Sequence, residues 1–222
     1  MEEYIVKIMS IENVTHDVKR FTIEKPKGYK FVPGQATEVA INKPEWKEER
    51  RPFTFTALNN APNLEFTIKL YASHNGVTNA LDKLKTGDEL LIHDVWGAIE
   101  YKGKGVFIAA GAGITPFIAI FRQLYKDKLI DGNELIFSNK TSHDIILRDE
   151  LHQMLDGNFI NVLTSEKIPG IHNKRIDKEY LKDMIKDFKQ HFYVCGPEKF
   201  TESVQQALIE LGAEVDSVVI EK

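Results

Sequence analysis

Several short stretches of this chain place residue types that handle phosphate and flat heterocycles at usable spacing. In Gly111-Ala112-Gly113-Ile114-Thr115-Pro116, two glycines leave backbone bare enough for a diphosphate to touch, and the N–H groups of a following helical turn favour an anion. Pro116 suits that turn, which has no use for its missing N–H. The pattern lacks the third glycine of the usual dinucleotide fingerprint, so a tight strand-to-helix turn of any α/β domain reads equally well. Arg51-Pro52-Phe53-Thr54 offers a guanidinium that can fork onto phosphate, a ring that can pack on a heterocycle and a hydroxyl that can bond a ring nitrogen. Alternation predicts Arg51 and Phe53 on one face and Thr54 on the other unless Pro52 disturbs it; the plainer reading is an edge strand with a surface arginine and a core phenylalanine. Gly76-Val77-Thr78 reads as a turn opening a helix with Thr78 near its N-cap, hence an anion seat or a simple cap. Cys195-Gly196-Pro197 ends an apolar run; a cysteine there is usually a small buried hydrophobe, and with no base beside it nucleophilic catalysis by Cys195 is not expected.

These residues must be positioned by two kinds of structure. From Tyr4 to about Asp94 the signals are short runs divided by turns, which predicts strands over 4–9, 18–23, 35–41, 53–57, 64–71 and 89–94. Such strands with one helix-like piece, 78–84, predict a closed or nearly closed antiparallel barrel. Phe31-Val32-Pro33-Gly34-Gln35 reads as the turn that starts the third strand. After the polar, glycine-bearing stretch Tyr101 to Gly105 the rhythm changes. Strands are predicted over 106–110, 134–139, 159–163, 191–195 and 215–220, with helices over 116–126, 147–154, 177–185 and 197–211. This alternation predicts a doubly wound α/β unit: a parallel sheet with helices on both faces, taking ligands at the carboxyl ends of its strands. The Gly111–Thr115 turn, Thr164-Ser165 and Cys195-Gly196-Pro197 all fall at that edge. The expected division is a barrel over residues 1–101 and the α/β unit over 105–222.

Composition narrows the function classes. A 222-residue chain with 42% hydrophobic and 28% charged residues suits two modest globular units. A formal charge of −4 and a pI near 6.0 argue against a general nucleic-acid binder. One cysteine, Cys195, precludes an internal disulfide or a cysteine-held iron–sulfur cluster and points to a reducing cytoplasm. The N-terminal residues lack a signal-peptide pattern, and the most apolar window, 106–121, is interrupted by glycines, Thr115 and Pro116, so no membrane span is expected. The seven histidines show no close pair at ligand spacing, which gives a metal site little support.

In order along the chain, Phe31-Val32-Pro33-Gly34-Gln35, Arg51-Pro52-Phe53-Thr54, Gly76-Val77-Thr78, Leu84-Lys85-Thr86-Gly87-Asp88, Gly111 to Pro116 and Cys195-Gly196-Pro197 resemble the motifs of the ferredoxin-NADP reductase family, specifically its compact stand-alone flavodoxin or ferredoxin reductase-like members. The resemblance implies a flavin-binding barrel followed by a nicotinamide-nucleotide unit, with FAD and NAD(P)H as cofactors. Arg51 would bind the flavin diphosphate, with Pro52 beside it, Phe53 on the isoalloxazine and the Thr54 hydroxyl near flavin N5. Lys69 and Tyr71 would make further flavin contacts, and Gly76, Val77 and Thr78 would seat the diphosphate. Gly111, Gly113, Thr115, Pro116, Thr164, Ser165 and the Cys195-Gly196-Pro197 turn would hold the nicotinamide nucleotide, with Thr54 and Cys195 flanking the reacting pair. The implied activity is hydride transfer from NAD(P)H to bound FAD and single-electron delivery to a small carrier such as ferredoxin or flavodoxin. A reductase of free flavin and a nucleotide-sensing module without turnover are the alternatives.

The chain departs from the family at informative places. Many members have Tyr and Ser where Phe53 and Thr54 stand, swaps that keep the ring face and the hydroxyl. Many NADP-using members carry an arginine after the Ser of the third-strand turn, whereas Ser165 is followed by Glu166. A carboxylate would repel a 2′-phosphate and accept a bond from a free 2′-hydroxyl, which tilts the expectation to NADH; Lys167, Lys174 and Arg175 are near enough in sequence to reverse it. Val219-Ile220-Glu221-Lys222 lacks the terminal aromatic that shields the flavin in plant-type members.

Overall fold

The computed structural model describes residues 2–71, 75–97 and 99–220; Glu221 and Lys222, part of the chain-end reading, lie outside them. The first half forms six antiparallel strands, β1 (Glu3–Asn13), β2 (Val18–Ile23), β3 (Gln35–Ile41), β4 (Arg51–Thr54), β5 (Leu64–Lys69) and β6 (Glu89–Gly97), in the order β4-β3-β6-β1-β2-β5. The sheet curls until its two edge strands meet, through an antiparallel bridge of Phe55 with Phe66 and the bond from Thr56 N to Glu65 O at 2.9 Å. Pro52 is tolerated because β4 is an edge strand, paired only with β3 along its length. Phe31, Phe55 and Phe66 fill the interior, the first two stacked with ring centroids 4.3 Å apart. The pairing of β3 with β6 shifts register between Thr37 and Val39, and the polar groups there are satisfied internally: the His93 carbonyl accepts from Thr37 Oγ1 at 2.8 Å and from Tyr29 Oη at 2.6 Å. A short helix, α1 (Val77–Asp82), packs its Val77, Ala80 and Leu81 into the same core.

The second half is a five-stranded parallel sheet, β11-β10-β7-β8-β9 in spatial order, built from β7 (Gly105–Ala110), β8 (Glu134–Asn139), β9 (Phe159–Leu163), β10 (His191–Cys195) and β11 (Val218–Ile220). Helices α2 (Thr115–Lys126), α3 (Arg148–Leu155), α4 (Lys178–Met184) and α5 (Glu198–Glu210) cover it. Strand alternation sorts the apolar side chains into two cores. Phe107, Leu135 and Phe137 face α2 and α3, whereas Val106, Ile108 and Ile136 face α4 and α5. The architecture is thus the antiparallel barrel followed by the doubly wound sheet that the sequence predicts.

The two units share a seam along α2. All residues from Pro116 to Phe121 are buried, because one side of the helix packs on Phe107 and the other meets the barrel; a helix apolar all round belongs inside. From the barrel, Val18 and Ile99 join the core of the second unit, and Val14 packs against it. Tyr193 Oη accepts from the N–H groups of Lys102 and Gly103 at 2.9 and 3.0 Å and donates to Gly103 O at 2.8 Å, so the connecting segment is held by its backbone. Arg122 crosses the seam: Nη1 donates to Thr56 O at 2.7 Å and to Glu65 Oε1 at 2.6 Å, while Nε and Nη2 donate to Glu150 Oε1 and Oε2 at 2.5 and 2.9 Å. Burial alone would lower its pKa, but the bonds and charges of Glu150 and Glu65 outweigh that and hold it above the ordinary value.

Gly34 marks the tightest approach of the Pro33-Gly34 turn to this seam. Its φ is +92°, and a Cβ there would lie 1.9 Å from Ile99 O and 3.3 Å from Ile120 Cδ1. Gly34→Ala therefore combines left-handed strain with a backbone clash. It should cost at least about 1–3 kcal/mol, read as a lower midpoint in chemical denaturation of the cofactor-free protein.

Candidate functional site

The barrel side of the site begins where β4 and β5 part. The Phe55–Phe66 bridge is isolated, so beyond it the edge of β4 that carries Arg51, Phe53 and Thr54 separates from the end of β5 that carries Lys69. The slot between them has polar and aromatic walls. Arg51 and Pro52 are exposed, Phe53 is half-buried with its ring 6.3 Å from Phe66, and Thr54 is 6% exposed. Arg51 is turned to its own neighbours, Arg50 O at 2.6 Å and Glu49 Oε2 at 3.3 Å, solvent-side contacts that a phosphate can replace. Lys69 Nζ is 2.8 Å from Asp17 Oδ2, and Tyr71 is exposed. Thr78 is not the cap of α1: Gly76 holds the N-cap position without a side-chain bond, Val77 is buried and Thr78 is the second helical residue. The shift follows from the extended backbone of Gly76, φ −127° and ψ −178°. A Cβ at Gly76 would meet nothing within 4 Å.

On the sheet side, strand order reverses between β7 and β10, since β8 lies to one side of β7 and β10 to the other. A crevice opens at such a switch point. It is bounded by Gly111–Ile114, a 3-10 turn absent from the predicted elements, and by Cys195-Gly196-Pro197. The two glycines of the first turn do different work. Gly111 has φ +53° with nothing within 4 Å of a Cβ, so its outer side is open. Gly113 is buried, and a Cβ would lie 2.2 Å from Cys195 O and 2.4 Å from Cys195 C. The space expected there for a diphosphate is filled by the neighbouring strand end. Gly196 packs likewise, its would-be Cβ 2.7 Å from Phe200 Cδ1 and 3.1 Å from Ala110 Cβ. Thr115 and Pro116 open α2, with Thr115 Oγ1 donating to Ala112 O at 3.0 Å and Pro116 buried. Pro197 is the N-cap residue of α5, and the Cys195 side chain is 3% exposed.

Thr164 and Ser165 are exposed at the end of β9, their N–H groups donating to Asn139 O and Lys140 O, both at 2.9 Å. Glu166 Oε2 accepts from Ser142 N at 2.6 Å, which lowers the carboxyl pKa and keeps a charge at this turn. Sequence reasoning missed the residues that join these turns. Asn139 is 6% exposed at the carboxyl end of β8, one step beyond the Ala110–Ser138 pair, and its side-chain Oδ1 and Nδ2 have no partner among the described residues. Across the seam, His16 Nε2 lies 3.7 Å from Asp17 Oδ2 and 3.8 Å from Asp144 Oδ1, linking the Lys69–Asp17 pair to the loop after β8. These three could hold a cation, which the histidine spacing had not suggested, because Asp144 is remote in sequence. Asp144 is itself fixed by Thr141: burial would raise its pKa, but bonds from Thr141 Oγ1 and N lower it.

The seam sets the strand that carries Thr54 beside the helix that follows the crevice turn. Arg122 on α2 touches Thr56; nearer the start of α2, Ile120 is approached by Gly34, which adjoins Gln35, whose carbonyl accepts from Phe55 N at 3.1 Å. In the register that pairs Ala36 with Thr54, Gly34 and Gln35 lie opposite Thr56 and Phe55, so both contacts set α2 beside the end of the strand that carries Thr54. Open space at Gly76 and Gly111 and the unpaired amide of Asn139 suit a ligand pair of flavin and nicotinamide nucleotide. FAD would lie between Arg51, Phe53, Thr54 and Lys69, and the nicotinamide nucleotide at the switch point.

The chain matches two known families: residues 5–101 match the Oxidoreductase FAD-binding domain and residues 107–206 the Oxidoreductase NAD-binding domain. It is 29% identical over 224 residues to NADH-cytochrome b5 reductase 1 of Aspergillus terreus, covering 90% of this chain and 75% of that protein. It is 23% identical to the reductase component of propane 2-monooxygenase of Rhodococcus jostii, over 100% of this chain and 64% of the relative. NADH-cytochrome b5 reductase 2 of Mycosarcoma maydis is 26% identical, and the chain spans 62% of its length. In fold it is similar to a Neisseria gonorrhoeae ferredoxin NADP+ reductase with bound FAD and NADP, with a TM-score of 0.82, 23% identity and coverage of 96% of this chain and 92% of that one. With both halves matched in the order barrel then sheet, the chain belongs to the ferredoxin-NADP reductase family and is an NAD(P)H-dependent flavoprotein reductase with an FAD-binding and an NAD-binding domain.

Proposed function

We propose that the chain takes hydride from NADH onto FAD held at the barrel slot and releases the electrons singly to a small protein acceptor of the ferredoxin or flavodoxin kind. The observation that carries this reading is the bond across the seam from Arg122 of α2 to Thr56 O, which sets the strand carrying Thr54 beside the helix that the Gly111–Thr115 turn opens. FAD, when bound, supplies the exchange between two-electron chemistry with the nucleotide and one-electron delivery to the acceptor. The protein contributes geometry and polarity. Phe53 gives the ring a face, Arg51 matches the diphosphate charge, and the Thr54 hydroxyl holds a hydrogen bond at the reacting edge. Thr115 and the Cys195-Gly196-Pro197 turn would hold the nucleotide on the sheet side, and the protein's contribution would be to orient the reacting pair and exclude water. Names of relatives support a protein acceptor: cytochrome b5 for the fungal reductases and a monooxygenase for the Rhodococcus component. The lone cysteine supports a reducing, cytoplasmic setting.

The preference for NADH rests on Glu166. Its carboxylate is anchored by Ser142 N–H at the third-strand turn, where a fixed negative charge opposes a 2′-phosphate. Named relatives that use NADH point the same way.

Anaerobic mixing of the FAD-loaded protein with NADH, followed by ferredoxin, flavodoxin, cytochrome b5 or free flavin, tests the whole reading: rapid bleaching and faster reoxidation by a protein carrier than by free flavin are expected. Thr54→Ala should slow single-turnover flavin reduction at least about tenfold with modest loss of FAD; an unchanged rate removes that role. Arg51→Ala should weaken FAD retention about tenfold or more, the loss of a charge-assisted contact, read by flavin-release titration. Glu166→Gln keeps an acceptor for Ser142 and removes the charge, so kcat/KM for NADPH should rise several-fold relative to NADH.

A further inference from the structure

Arg122 stands two turns along α2 from Thr115, and its guanidinium divides between the two domains. One arm stays in the NAD-binding domain, doubly bonded to Glu150 on α3. The other arm enters the barrel, bonded to Glu65 on β5 and to the carbonyl of Thr56, two residues beyond Thr54. Thr56 Oγ1 donates in turn to Glu65 Oε1 at 2.7 Å, beside the Phe55–Phe66 closure. We infer that Arg122 is a positioning residue for hydride transfer: its bonds to Glu65 and to the Thr56 carbonyl set the spacing between the nucleotide turn that opens α2 and the barrel strand that carries Thr54. The inference rests on the reading of those two elements as the opposite walls of the cofactor cleft.

The chemistry of the contact explains why a guanidinium serves. Its planar fork satisfies four oxygen acceptors from two directions at fixed angles, which an ammonium cannot do. The apolar seam contacts at Gly34, Ile120 and Val18 bring the domains together but are non-directional, whereas the bonds to Glu65 and to the Thr56 carbonyl are directional and define orientation across the seam. Hydride transfer is sensitive to such orientation, since misplacement by about 1 Å can cost about a hundredfold in rate.

Two truncations separate the arms. Glu65→Ala cuts the barrel arm, and Glu150→Ala cuts the arm within the NAD-binding domain; Arg122→Lys keeps the charge and loses the fork. Each is assayed for single-turnover FAD reduction at saturating NADH, for FAD and NADH affinity, and for thermal stability. In cofactor-free protein, pulsed-EPR distances are recorded between spin labels at Ile5→Cys and Leu129→Cys, both exposed positions. Glu65→Ala and Arg122→Lys should slow reduction at least about tenfold and broaden the distance distribution, with affinities held within about twofold. Glu150→Ala should lower stability comparably yet keep the rate within about twofold of wild type. A normal rate and distribution in Glu65→Ala overturns the inference, as does equal slowing by Glu150→Ala, which would mark the triad as merely structural. If Arg122→Lys does not fold, the two glutamate variants still decide. Wild-type protein that holds FAD but is not reduced by NADH overturns the cleft reading itself, a result distinct from intact turnover that the variants leave unmoved.

Discussion

A guanidinium withdrawn from water has to be matched by carboxylates, and Arg122 finds them on opposite sides of a domain boundary. Removing one partner of a buried ion pair typically costs about 3–5 kcal/mol, because a charge is left without compensation. Glu65 of the barrel and Glu150 of the sheet domain thus share one cation at the seam. Helix α2 inherits two tasks from this. Its N-terminal turn bounds the switch-point crevice, and its apolar residues Pro116 to Phe121 are pressed between sheet and barrel. Whatever holds α2 against the barrel also holds the helix opened by the Gly111–Thr115 turn beside the strand that carries Thr54.

Much of the architecture was legible because its causes are local. Strands β2, β3, β8, β9 and β10 fall where the sequence predicts them: the antiparallel β2 and β3 are short runs set off by turns, and the parallel β8, β9 and β10 read as hydrophobic segments bounded by polar or glycine residues. Boundaries set by distant partners were not legible. β1 continues to Asn13 because it pairs first with β6 and then, past an irregularity between Ile8 and Ser10, with β2. β6 extends to Gly97 because Gln35 and Ala36 pair with its far end. The last strand is shorter than its apolar pattern, Val215 to Ser217 forming a 3-10 turn before β11 begins at Val218.

The candidate site divides the same way. Arg51, Phe53 and Thr54 can be recognised as a group because one edge strand carries all three. Arg122 and Glu65 are 57 positions apart, and His16 and Asp144 come from different domains, so no spacing announces either contact. A charged residue directly after the apolar run from Pro116 to Phe121 was the available hint that one flank of this helix met something other than solvent. Asn139 gave no hint at all: as the last residue of a buried strand it is ordinary, and only its unsatisfied amide sets it apart.

Gly111 and Gly113 show why a motif match alone understates what glycine does. A missing Cβ can open space outward to a ligand or inward to the protein, and two residues apart in one turn this chain uses both. Contact of Gly113 with the Cys195 carbonyl binds the ends of β7 and β10 into one mechanical unit, so the two walls of the switch-point crevice cannot move apart independently. The thiol of Cys195 is almost fully buried, while the backbone of its turn lies at the crevice edge. Buried as it is, the Cys195 side chain would offer a bound nucleotide less than the peptide groups of its turn. The shape of the crevice is thereby set by two glycines and a strand reversal.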